Sequence, residues 1–522
     1  MYLYCRWAFV FFIGMLLCVA RGVCFHVCLS VQLTWSDLLV CYVDVGLILN
    51  VEWVFFVRDA MDRRQFLSRS VGLLGIAVIP VACAKVDSGH DMSSMQGMRG
   101  MGGMTEPSAL AALDVLPTGL AVPRLPLLVN QSSDANHFKA TLTAAPMQHA
   151  FIEGKPTTVW AYNGSATPLL IELIEGMSVE IELINQLPQE TTLHWHGLPV
   201  PPEEDGGPQE AVPPQGRRTY RFVLPEGCAG TYWFHPHPHG TTHEQVFRGL
   251  AGAIIVRPKL TASNALDVLP ETHVFVTDLK LNADGSIAEN DMNDDMNGRE
   301  GQFLLVNGAY QPTISLTQAT RVRLWNATNA RFLNLQLQDL TEQVVALVQV
   351  GTDGGLLAQA QQAQTVLVSP AERVELLLSS KEVATVNLHA LAYKQGKMGM
   401  VQATPARKLL SVQLAESAFV LPQRLRDITP LGTAVRQQRV RLSETMSMAG
   451  GMHNMRFYIN DKQFDMSRID FTSKVGEVEE WVIDNTSDMD HPVHIHGGQF
   501  QLQRREWIDV SRGAPTPYAL SL

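Results

Sequence analysis

The sequence predicts an all-β protein of three tandem β-sandwich domains, and two observations carry this prediction. From residue 110 onward, apolar and β-branched residues come in short alternating runs such as LLIELIEGMSVEIELIN and RTYRFVL, separated by glycine, proline, asparagine and aspartate. Such runs are typical of strands that pack one face into a core, and long helical periodicity is scarce. The second observation is an internal repeat, which divides the strands into domains.

Two segments of equal length repeat one another at an offset of 300 residues. Residues 176–197 read GMSVEIELINQLPQETTLHWHG, and residues 476–497 read GEVEEWVIDNTSDMDHPVHIHG. The aligned pairs are Asn185 with Asn485, His194 with His494, and His196 with His496. A supersecondary unit that recurs at a fixed offset indicates tandem domains, and histidines that recur with it indicate a shared function.

A third copy begins at residue 321 with RVRLWNATNARFLNLQL, where Asn326 takes the place of Asn185. Leu335 and Leu337 stand where the outer copies have histidines. We therefore expect a middle domain without metal ligands between two domains that carry them. The expected domains span residues 110–258, 259–415 and 416–522.

Composition excludes several classes of protein. The 522 residues include 40 Lys and Arg against 51 Asp and Glu, a formal net charge of -11. This charge argues against a general binder of nucleic acid or of anionic membranes, both of which favour basic surfaces. Five of the seven cysteines lie in the first 41 residues, and only Cys228 lies beyond Cys83. No disulfide framework is expected in the body of the protein.

An export signal of the twin-arginine type is predicted at residues 61–84. Arg63 and Arg64 precede an apolar run there, which ends in small residues. Because such a signal normally begins a protein, we expect translation to start at Met61 and residues 1–60 to be a spurious extension. The alternative is that the apolar stretches at 7–20 and 37–57 are membrane helices. Export predicts a periplasmic or exported protein without membrane contact after signal cleavage.

Residues 85–109 form a glycine-rich tract with methionines at a strict spacing of three, at positions 92, 95, 98, 101 and 104. Thioether sulfur is a soft ligand that selects Cu(I), so the tract could bind copper. The alternative is a flexible linker whose methionines have no function. A second cluster, MSMAGGMHNM at 446–455, has the same character and favours copper.

Eight of the sixteen histidines lie in three short stretches, HWHG at 194–197, WFHPHPHG at 233–240 and HPVHIHG at 491–497. On a strand, residues i and i+2 point to the same face, so each H-x-H pair presents two imidazoles side by side. One such pair is weak evidence, because a single strand histidine is usually only a satisfied polar residue. Three pairs predict a polynuclear copper or zinc centre. His491 and His494 differ by an odd number, so on an extended strand they would serve different sites.

These motifs resemble those of the multicopper oxidases, a laccase-like family of cupredoxin domains, and especially its bacterial copper-resistance branch. The resemblance covers residues 110–510 and includes YNG at 162–164 and DGGPQ at 205–209. It implies an oxidase that takes single electrons from Cu(I) or a small phenolic donor and reduces dioxygen to water in four steps.

The resemblance also implies a role for each matching residue. His194 and His494 resemble ligands of the type 2 copper, and the type 3 pair is matched by His196, His235, His237 and His496. His491 resembles one ligand of the blue type 1 copper, and Asp205 resembles a carboxylate that helps to deliver protons. His239 matches no ligand of the family. The methionine-lined Cu(I) region of the cuprous oxidases is matched by Met446, Met448, Met452, Met455 and Met489.

A blue copper site needs a cysteine thiolate and a second histidine. In this family both come from a final HCH-type motif, and no cysteine follows Cys228. By the offset of the repeat, the counterpart of His235 would fall near residue 535, beyond Leu522. We therefore expect a third domain truncated at its C-terminus and an incomplete type 1 site. The rival interpretation is a non-catalytic copper-binding protein that lacks the type 1 cysteine.

Overall fold

The computed structural model divides the chain into two compact units, residues 1–103 and 104–522, which are described separately. The described residues are 9–20, 23–33, 38–45 and 51–56 in the first unit, and 109–259, 264–397, 404–417, 419–447, 454–509 and 514–517 in the second. The predicted export signal and the methionines at 92–104 lie outside these residues.

The first unit contains an antiparallel sheet of four strands in chain order. The strands are β1 (Phe9–Ala20), β2 (Val23–Leu33), β3 (Leu38–Val45) and β4 (Val51–Phe56). The alternative expectation of helices at 7–20 and 37–57 is therefore wrong, and the many aromatic and β-branched residues there favour strands. Among the described residues, no helix is long and apolar enough to cross a membrane.

The second unit begins with a β-sandwich. Its strands are β5 (His137–Ile152), β6 (Lys155–Tyr162), β7 (Leu169–Ile174), β8 (Ser178–Asn185), β9 (His194–His196), β10 (Arg217–Val223), β11 (Gly230–His235) and β12 (Gly252–Arg257). One sheet has the order β10-β8-β5-β6 and the other β7-β12-β11-β9. Short 3-10 turns lie at Pro202–Glu204 and Pro208–Glu210, and helix α1 spans Thr242–Phe247.

The two sheets enclose one hydrophobic core because their strands alternate. On β8, Val179, Ile181 and Leu183 are buried while the residues between them are partly exposed. The opposite sheet contributes Trp195 of β9 and Phe234 of β11 to the same cluster. Since Trp195 points into this core, the histidines on either side of it must point away, toward the outer face of the sandwich.

A second sandwich follows. Its elements are β13 (Glu271–Leu279), α2 (Met292–Asn297), β14 (Phe303–Val306), β15 (Ala309–Tyr310), β16 (Thr313–Leu316), β17 (Thr320–Asn326), β18 (Leu333–Asp339), β19 (Val344–Val345), β20 (Leu347–Thr352), β21 (Gly355–Ala363), β22 (Val366–Val368), β23 (Arg373–Leu378), β24 (Ala384–Leu391) and β25 (Arg407–Leu414). The sheets have the orders β15-β14-β13-β17-β23-β20-β21 and β16-β25-β24-β18-β19, and β22 pairs with β18.

The C-terminal region has less structure in the described residues. A sheet of three strands, in the order β27-β26-β28, consists of β26 (Arg436–Ser447), β27 (Asn454–Ile459) and β28 (Glu479–Asn485). A hairpin follows, formed by β29 (Glu506–Asp509) and β30 (Ala514–Pro517). Within 436–506, Val440 and Met489 are the buried hydrophobic residues of the described part. The all-β prediction is confirmed, and the domain boundaries and the truncated third domain stay predictions.

The repeat has a structural basis in its aligned asparagines. Asn185, Asn326 and Asn485 end β8, β17 and β28, each of which pairs in parallel with the first strand of its region. In every copy the side-chain amide donates to a carbonyl further along the turn, at 2.9 Å for Asn185 to Gln189 and 2.8 Å for Asn485 to Met489. The asparagine therefore holds the turn that leads into the histidine segment, and its recurrence reflects folding rather than metal binding.

The middle copy differs by one residue in this turn. Asn326 donates to Arg331, five residues ahead, whereas the outer asparagines reach four residues ahead. A shift of one residue turns a strand over, so Leu335 and Leu337 lie in the core of the second sandwich. The residues of β18 that lie outside this core are polar, Gln336 and Gln338 among them. The aligned leucines are therefore not the spatial counterparts of the histidines.

Candidate metal centre

Strands β9 and β11 bring together the first three histidines. The two strands are antiparallel, with His235 opposite His194 and Trp233 opposite His196. The next turn adds His237, whose backbone N–H donates to Thr192 Oγ1 at 2.7 Å. All four imidazoles lie on the side of β9 away from the core, as the H-x-H spacing predicts.

His494 and His496 complete the group from the C-terminal region. The ring of His496 stacks on His194 with centroids 4.1 Å apart, and the ring of His494 stacks on His196 at 3.8 Å. His237 contacts both His194 and His496, with ring centroids 5.3 Å and 5.1 Å away. Six of the seven predicted histidine ligands therefore form one cluster, although their segments lie 300 residues apart.

Within this cluster, two sets of ring nitrogens lie close enough to share a metal ion. One set comprises His194, His196 and His235, and the other comprises His194, His494 and His496, with ligand atoms within 4.8 Å of one another in each set. Imidazole nitrogens bind divalent metals at about 2.0–2.1 Å, so two nitrogens that share one ion lie at most about 4 Å apart. The separations in both sets are close to this limit. His194 belongs to both sets, which places it at the middle of the cluster.

Hydrogen bonds fix which nitrogen each ring offers. A carbonyl oxygen can only accept, so Nδ1 of His194 donates to the Asp205 carbonyl at 2.9 Å, and Nδ1 of His235 donates to the Pro236 carbonyl at 2.8 Å. Nδ1 of His496 donates to Asp205 Oδ2 at 2.7 Å. The Nε2 lone pairs of His194 and His496 remain for a metal, whereas Nε2 of His235 accepts from His196 Nδ1 at 3.3 Å. In particular, His194 Nε2 is buried without a hydrogen-bond partner. A buried imidazole nitrogen with no partner is costly unless a metal occupies it, so the donor set fits copper.

The electrostatics also favour metal ligation over protonation. Burial lowers the pKa of His194, and it lowers the pKa values of His196 and His235 well below their ordinary range, with neighbouring charges adding to the effect at the last two. Burial and the neighbouring histidines lower the pKa of His237 to about 4 and that of His494 to about 3. These imidazoles are neutral at physiological pH, the form that binds metals.

Asp205 lies beside the cluster at the end of the 3-10 turn Pro202–Glu204. Its Oδ1 is 3.2 Å from His194 Nδ1, in addition to the bond to His496. Burial opposes its ionisation, but the interactions with His194 and His496 prevail and lower its pKa to about 2. The next residue, Gly206, has φ +72°, and a Cβ there would lie 2.0 Å from the carbonyl oxygen of Leu193. The glycine thus allows the loop to approach β9 closely enough for Asp205 to reach two histidines.

His491 belongs to neither set. Its Nε2 is 2.7 Å from Ser487 Oγ, and its ring is 6.4 Å from that of Phe457. The expectation that residues 491–496 form an extended strand is wrong, because they form no strand and pair with none. The segment lies past the end of β28, where the described chain offers it no pairing neighbour. The spacing argument for His491 therefore loses its basis, and its assignment to a different copper site from His494 stays a prediction.

The predicted methionine region is described in part. Met446 pairs in register with Met455 across β26 and β27, and the side chain of Met489 is buried. Met448, Met452 and the side chain of Met446 lie outside the described residues. His239, which matches no ligand, is exposed and packs on Phe464 with ring centroids 5.1 Å apart. Cys228 is a buried free thiol that donates to the Pro225 carbonyl at 3.0 Å.

Sequence reasoning missed one neighbour of the cluster, Arg373. It is buried at the start of β23 in the second sandwich, and its charge contributes to the lowered pKa values of His196 and His494 after burial. The sequence contains one signal for it, a charged residue at the start of the largely apolar strand RVELLL, which also carries Glu375. That signal does not identify the residues that the arginine contacts, because they lie in the first sandwich, far away in the sequence.

Comparison with known proteins agrees with this site. Two family models described as multicopper oxidase match residues 143–261 and 438–519. The multicopper oxidase mco of Staphylococcus aureus is 30% identical over 390 residues, which cover 72% of this chain and 78% of that protein. The cell division protein FtsP of Escherichia coli is 27% identical over 380 residues, covering 69% of this chain and 76% of that protein.

Among solved structures, the multicopper oxidase of Campylobacter jejuni, titled a metallo-oxidase, is 38% identical to this chain. It superposes with a TM-score of 0.73 over 79% of this chain and 87% of that chain. The fold, the histidine cluster and the relatives described as multicopper oxidases agree on a copper-dependent oxidoreductase. The chain belongs to the multicopper oxidase family.

Proposed function

We propose that this protein oxidises Cu(I) or a small phenolic donor one electron at a time and uses the electrons to reduce dioxygen to water. The observation that carries the proposal is the convergence of six histidines from three separate segments around the buried, unpartnered Nε2 of His194. Copper, when bound, supplies one-electron chemistry that no amino-acid side chain in this site provides.

Each part of the cluster has a proposed task. The ligands of the type 2 and type 3 coppers would be His194, His196, His235, His237, His494 and His496. Strands β9 and β11 hold three of them rigidly, while His494 and His496 come from a segment outside any strand. His491 would be one ligand of a separate type 1 site. His194, His196 and His235 are buried, whereas His494 and His496 are exposed, so the first sandwich shields only part of the cluster from bulk water.

Asp205 is proposed to orient the rings of His194 and His496. A group that shuttles protons works best when its pKa lies near the working pH, and a pKa of about 2 leaves Asp205 ionised at neutral pH. An ionised carboxylate is a strong acceptor for two ring N–H groups. The geometry supports this orienting task, and proton delivery by Asp205 stays a prediction.

The donor and the cellular role are further proposals. The pairing of Met446 with Met455, together with the buried Met489 close to His491 in the chain, supports a Cu(I)-oxidising protein with a role in copper tolerance. The twin arginine at Arg63 and Arg64 supports export to the periplasm.

A second candidate function is copper binding without catalysis. The printed sequence has no cysteine after Cys228, so it contains no HCH-type motif for a type 1 site. Moreover, the family likeness extends to a relative named as a cell division protein. A chain that binds copper at the histidines but transfers no electrons to dioxygen would have this second function.

One experiment separates the two candidates. The copper-loaded chain is mixed with Cu(I) or a phenol in an oxygen electrode, and oxygen uptake is compared with that of the His194→Ala variant and of free copper at equal concentration. Uptake by the chain that exceeds both controls supports the oxidase. Uptake equal to the controls, with copper bound, supports the non-catalytic alternative.

A further inference from the structure

We propose that the loop between β24 and β25 of the second sandwich positions the C-terminal ligand segment, residues 491–496, and that Tyr393 is the positioning residue. The inference rests on the proposed function, because this segment carries two of the six clustered histidines. The second sandwich contributes no ligand to either set of nitrogens. The contact through Tyr393 would therefore give it a role in the site.

The segment needs such a support because no strand pairing holds it. The corresponding histidines of the first sandwich lie on β9, which pairs with β11, whereas residues 491–496 form no strand. The residue just before them, Asp490, is tied to the second sandwich instead. Its backbone N–H donates to the carbonyl of Gln395 at 3.0 Å, and its Oδ2 accepts from the Tyr393 hydroxyl at 2.7 Å.

The loop also approaches the chain just ahead of Asp490 very closely. Gly396 has φ +70°, and a Cβ there would lie 1.8 Å from the carbonyl oxygen of Asp488. Gln395 and Met489 are both buried at this contact. The approach requires a glycine, so the backbone contact at Asp488 and the two hydrogen bonds to Asp490 restrict the same turn.

Buried charges anchor the loop in the second sandwich. Lys397 Nζ is 2.6 Å from Glu300 Oε1, and Thr404 Oγ1 donates to Glu300 Oε2 at 2.8 Å. Arg331 Nη1 lies 3.3 Å from the same Oε2. The charged side chains of these pairs are at most 10% exposed, so solvent and salt screen them little. A loop anchored in this way presents the Tyr393 hydroxyl at a defined position.

The first sandwich ties the same position of the repeat by other means. At the offset of 300 residues, the counterpart of Asp490 is Glu190, whose carbonyl accepts from Gln245 Nε2 of helix α1 at 2.8 Å. In both copies the tied residue precedes the first histidine of the H-x-H pair by four positions. Because the tie recurs with different partners, we infer that it serves the histidines that follow rather than one particular sandwich.

Titration of the metal-free full chain with Cu(II) tests the inference, with copper affinity from equilibrium dialysis as the readout. Tyr393→Phe removes the hydroxyl and keeps the ring, which packs on Phe332 with centroids 5.4 Å apart. Tyr458→Phe is the matched control, since Tyr458 lies on β27 and its hydroxyl is 3.2 Å from that of a threonine on β26. Tyr393→Phe is also made in a chain that carries His494→Ala and His496→Ala, which lacks the ligands of the segment. Urea unfolding verifies the fold of every variant.

A second readout does not depend on copper. Amide hydrogen exchange of the metal-free chain reports the local opening of residues 488–491. Asp490→Ala removes the acceptor of the Tyr393 hydroxyl, and Asp490→Asn keeps an acceptor oxygen. We expect faster exchange in Tyr393→Phe and in Asp490→Ala, and exchange close to that of the wild-type chain in Asp490→Asn and in Tyr458→Phe.

We expect copper affinity to fall about three- to tenfold in Tyr393→Phe. Partners that contact a ligand directly contribute about tenfold or more, and Tyr393 acts only through the backbone that leads to the ligands. The affinity should be unchanged in Tyr458→Phe, and Tyr393→Phe should have no further effect in the chain without His494 and His496.

Wild-type copper affinity in Tyr393→Phe would overturn the inference and leave the proposed function intact. A loss as large in Tyr458→Phe, or in the chain without His494 and His496, would assign the effect to general loosening of the fold and would also overturn the inference. A wild-type chain that holds no copper at the histidines would overturn the proposed function, and the inference with it.

Discussion

The Nε2 atom of His194 is buried, has no hydrogen-bond partner and belongs to both sets of ligand nitrogens. We therefore predict that His194→Ala lowers the copper content of the chain more than any change at the neighbouring His239, which is exposed and lies in neither set. His239→Ala is the matched control, since it also removes one imidazole close to the cluster in sequence. Copper per chain is measured after dialysis, with circular dichroism to verify the fold. Equal copper in the two variants would contradict the placement of the site.

Gly206 allows a second prediction about a single residue. An alanine there needs φ +72° and would place its Cβ 2.0 Å from the carbonyl oxygen of Leu193. Gly154→Ala is the control, because Gly154 has φ +73° but nothing within 4 Å of the added atom. The left-handed conformation alone should cost about 1–2 kcal/mol, and the overlap at Gly206 should add about 1–3 kcal/mol. Urea unfolding measures the loss in the free energy of unfolding for each of the two variants. Equal losses would show that the loop relaxes freely.

At this scale, spacing predicted the shared face of His194 and His196 on β9, because period two on a strand is a local rule, but His494 and His496 lie outside any strand. It failed where the outcome depends on distant segments. Leu335 and Leu337 align with histidines in sequence but point into the core, since the turn after Asn326 is one residue longer. Arg373 was missed because its neighbours at Thr231 and Gly197 come from another sandwich.

Among the elements, β17 and β23 share a buried ion network. Glu375 accepts hydrogen bonds from Arg321 at 2.6 Å, from Arg323 at 2.7 Å and from Thr231 of β11 at 2.5 Å. We predict that Glu375→Gln lowers the free energy of unfolding by about 1.5–3 kcal/mol, because it takes a charged acceptor from two buried guanidinium groups, which keep Asp267 and Glu271 as partners. Glu180→Gln is the control. Its solvent-exposed pairing with Lys139 should contribute far less to stability, because water and salt screen it. If Glu375→Gln lowered the free energy of unfolding no more than Glu180→Gln does, the ion network would not stabilise the contact between the sandwiches.

The same network predicts a dependence on pH. Burial alone would raise the pKa of Glu375, but the charges of Arg323 and Arg321 lower it below the ordinary value of 4.5. A carboxylate with a lowered pKa stabilises the folded state fully above its ordinary pKa, and that contribution is lost as the pH falls below about 4.5. The free energy of unfolding should therefore fall with acidification in this range, and it should fall less steeply in Glu375→Gln. Parallel curves for the two proteins would refute this assignment.

The sequence predicted that most segments are strands, because alternating runs such as that of β8 bury one face. It did not predict that 491–496 lacks strand structure, since an extended segment becomes a strand only when a neighbour pairs with it. Its histidines still reach the cluster, through the ring stacking of His494 on His196 and of His496 on His194. Side-chain contact thus replaces backbone pairing at this point of the site.

For the whole molecule, the sequence repeat anticipated that distant segments share one site, since His194 and His494 meet although they are 300 residues apart. It could not show how the segments are joined. The first two sandwiches share a cluster of buried residues around Trp233, Phe275 and Trp325, and they also share the contacts of Arg373 and Glu375. Such joints depend on shape and on buried charge, neither of which leaves a periodic signal in sequence.

The last prediction concerns the colour of the protein. Blue absorption in this family requires a bond between Cu(II) and a cysteine thiolate. In residues 110–522 the sole cysteine is Cys228, which is buried and donates to the Pro225 carbonyl. Burial, together with the charge of Glu175, raises its pKa to about 11, so it is a thiol at neutral pH. A polypeptide of the printed residues should hold copper at the histidine cluster without an intense blue band, and it should oxidise Cu(I) or phenols slowly.

Cys228→Ser is the control for this prediction, and it should leave both the visible spectrum and the copper content of the loaded protein unchanged. Serine keeps the size of the side chain and the donor to Pro225, so a change in either quantity would implicate the thiol as a ligand. If the printed chain were intensely blue and lost its colour in Cys228→Ser, the thiol would have to leave its buried position and reach a copper ion. An intense blue colour that survives the substitution would require a chromophore other than a cysteine thiolate. Either result would contradict the view that this chain carries the histidine cluster but no blue copper site.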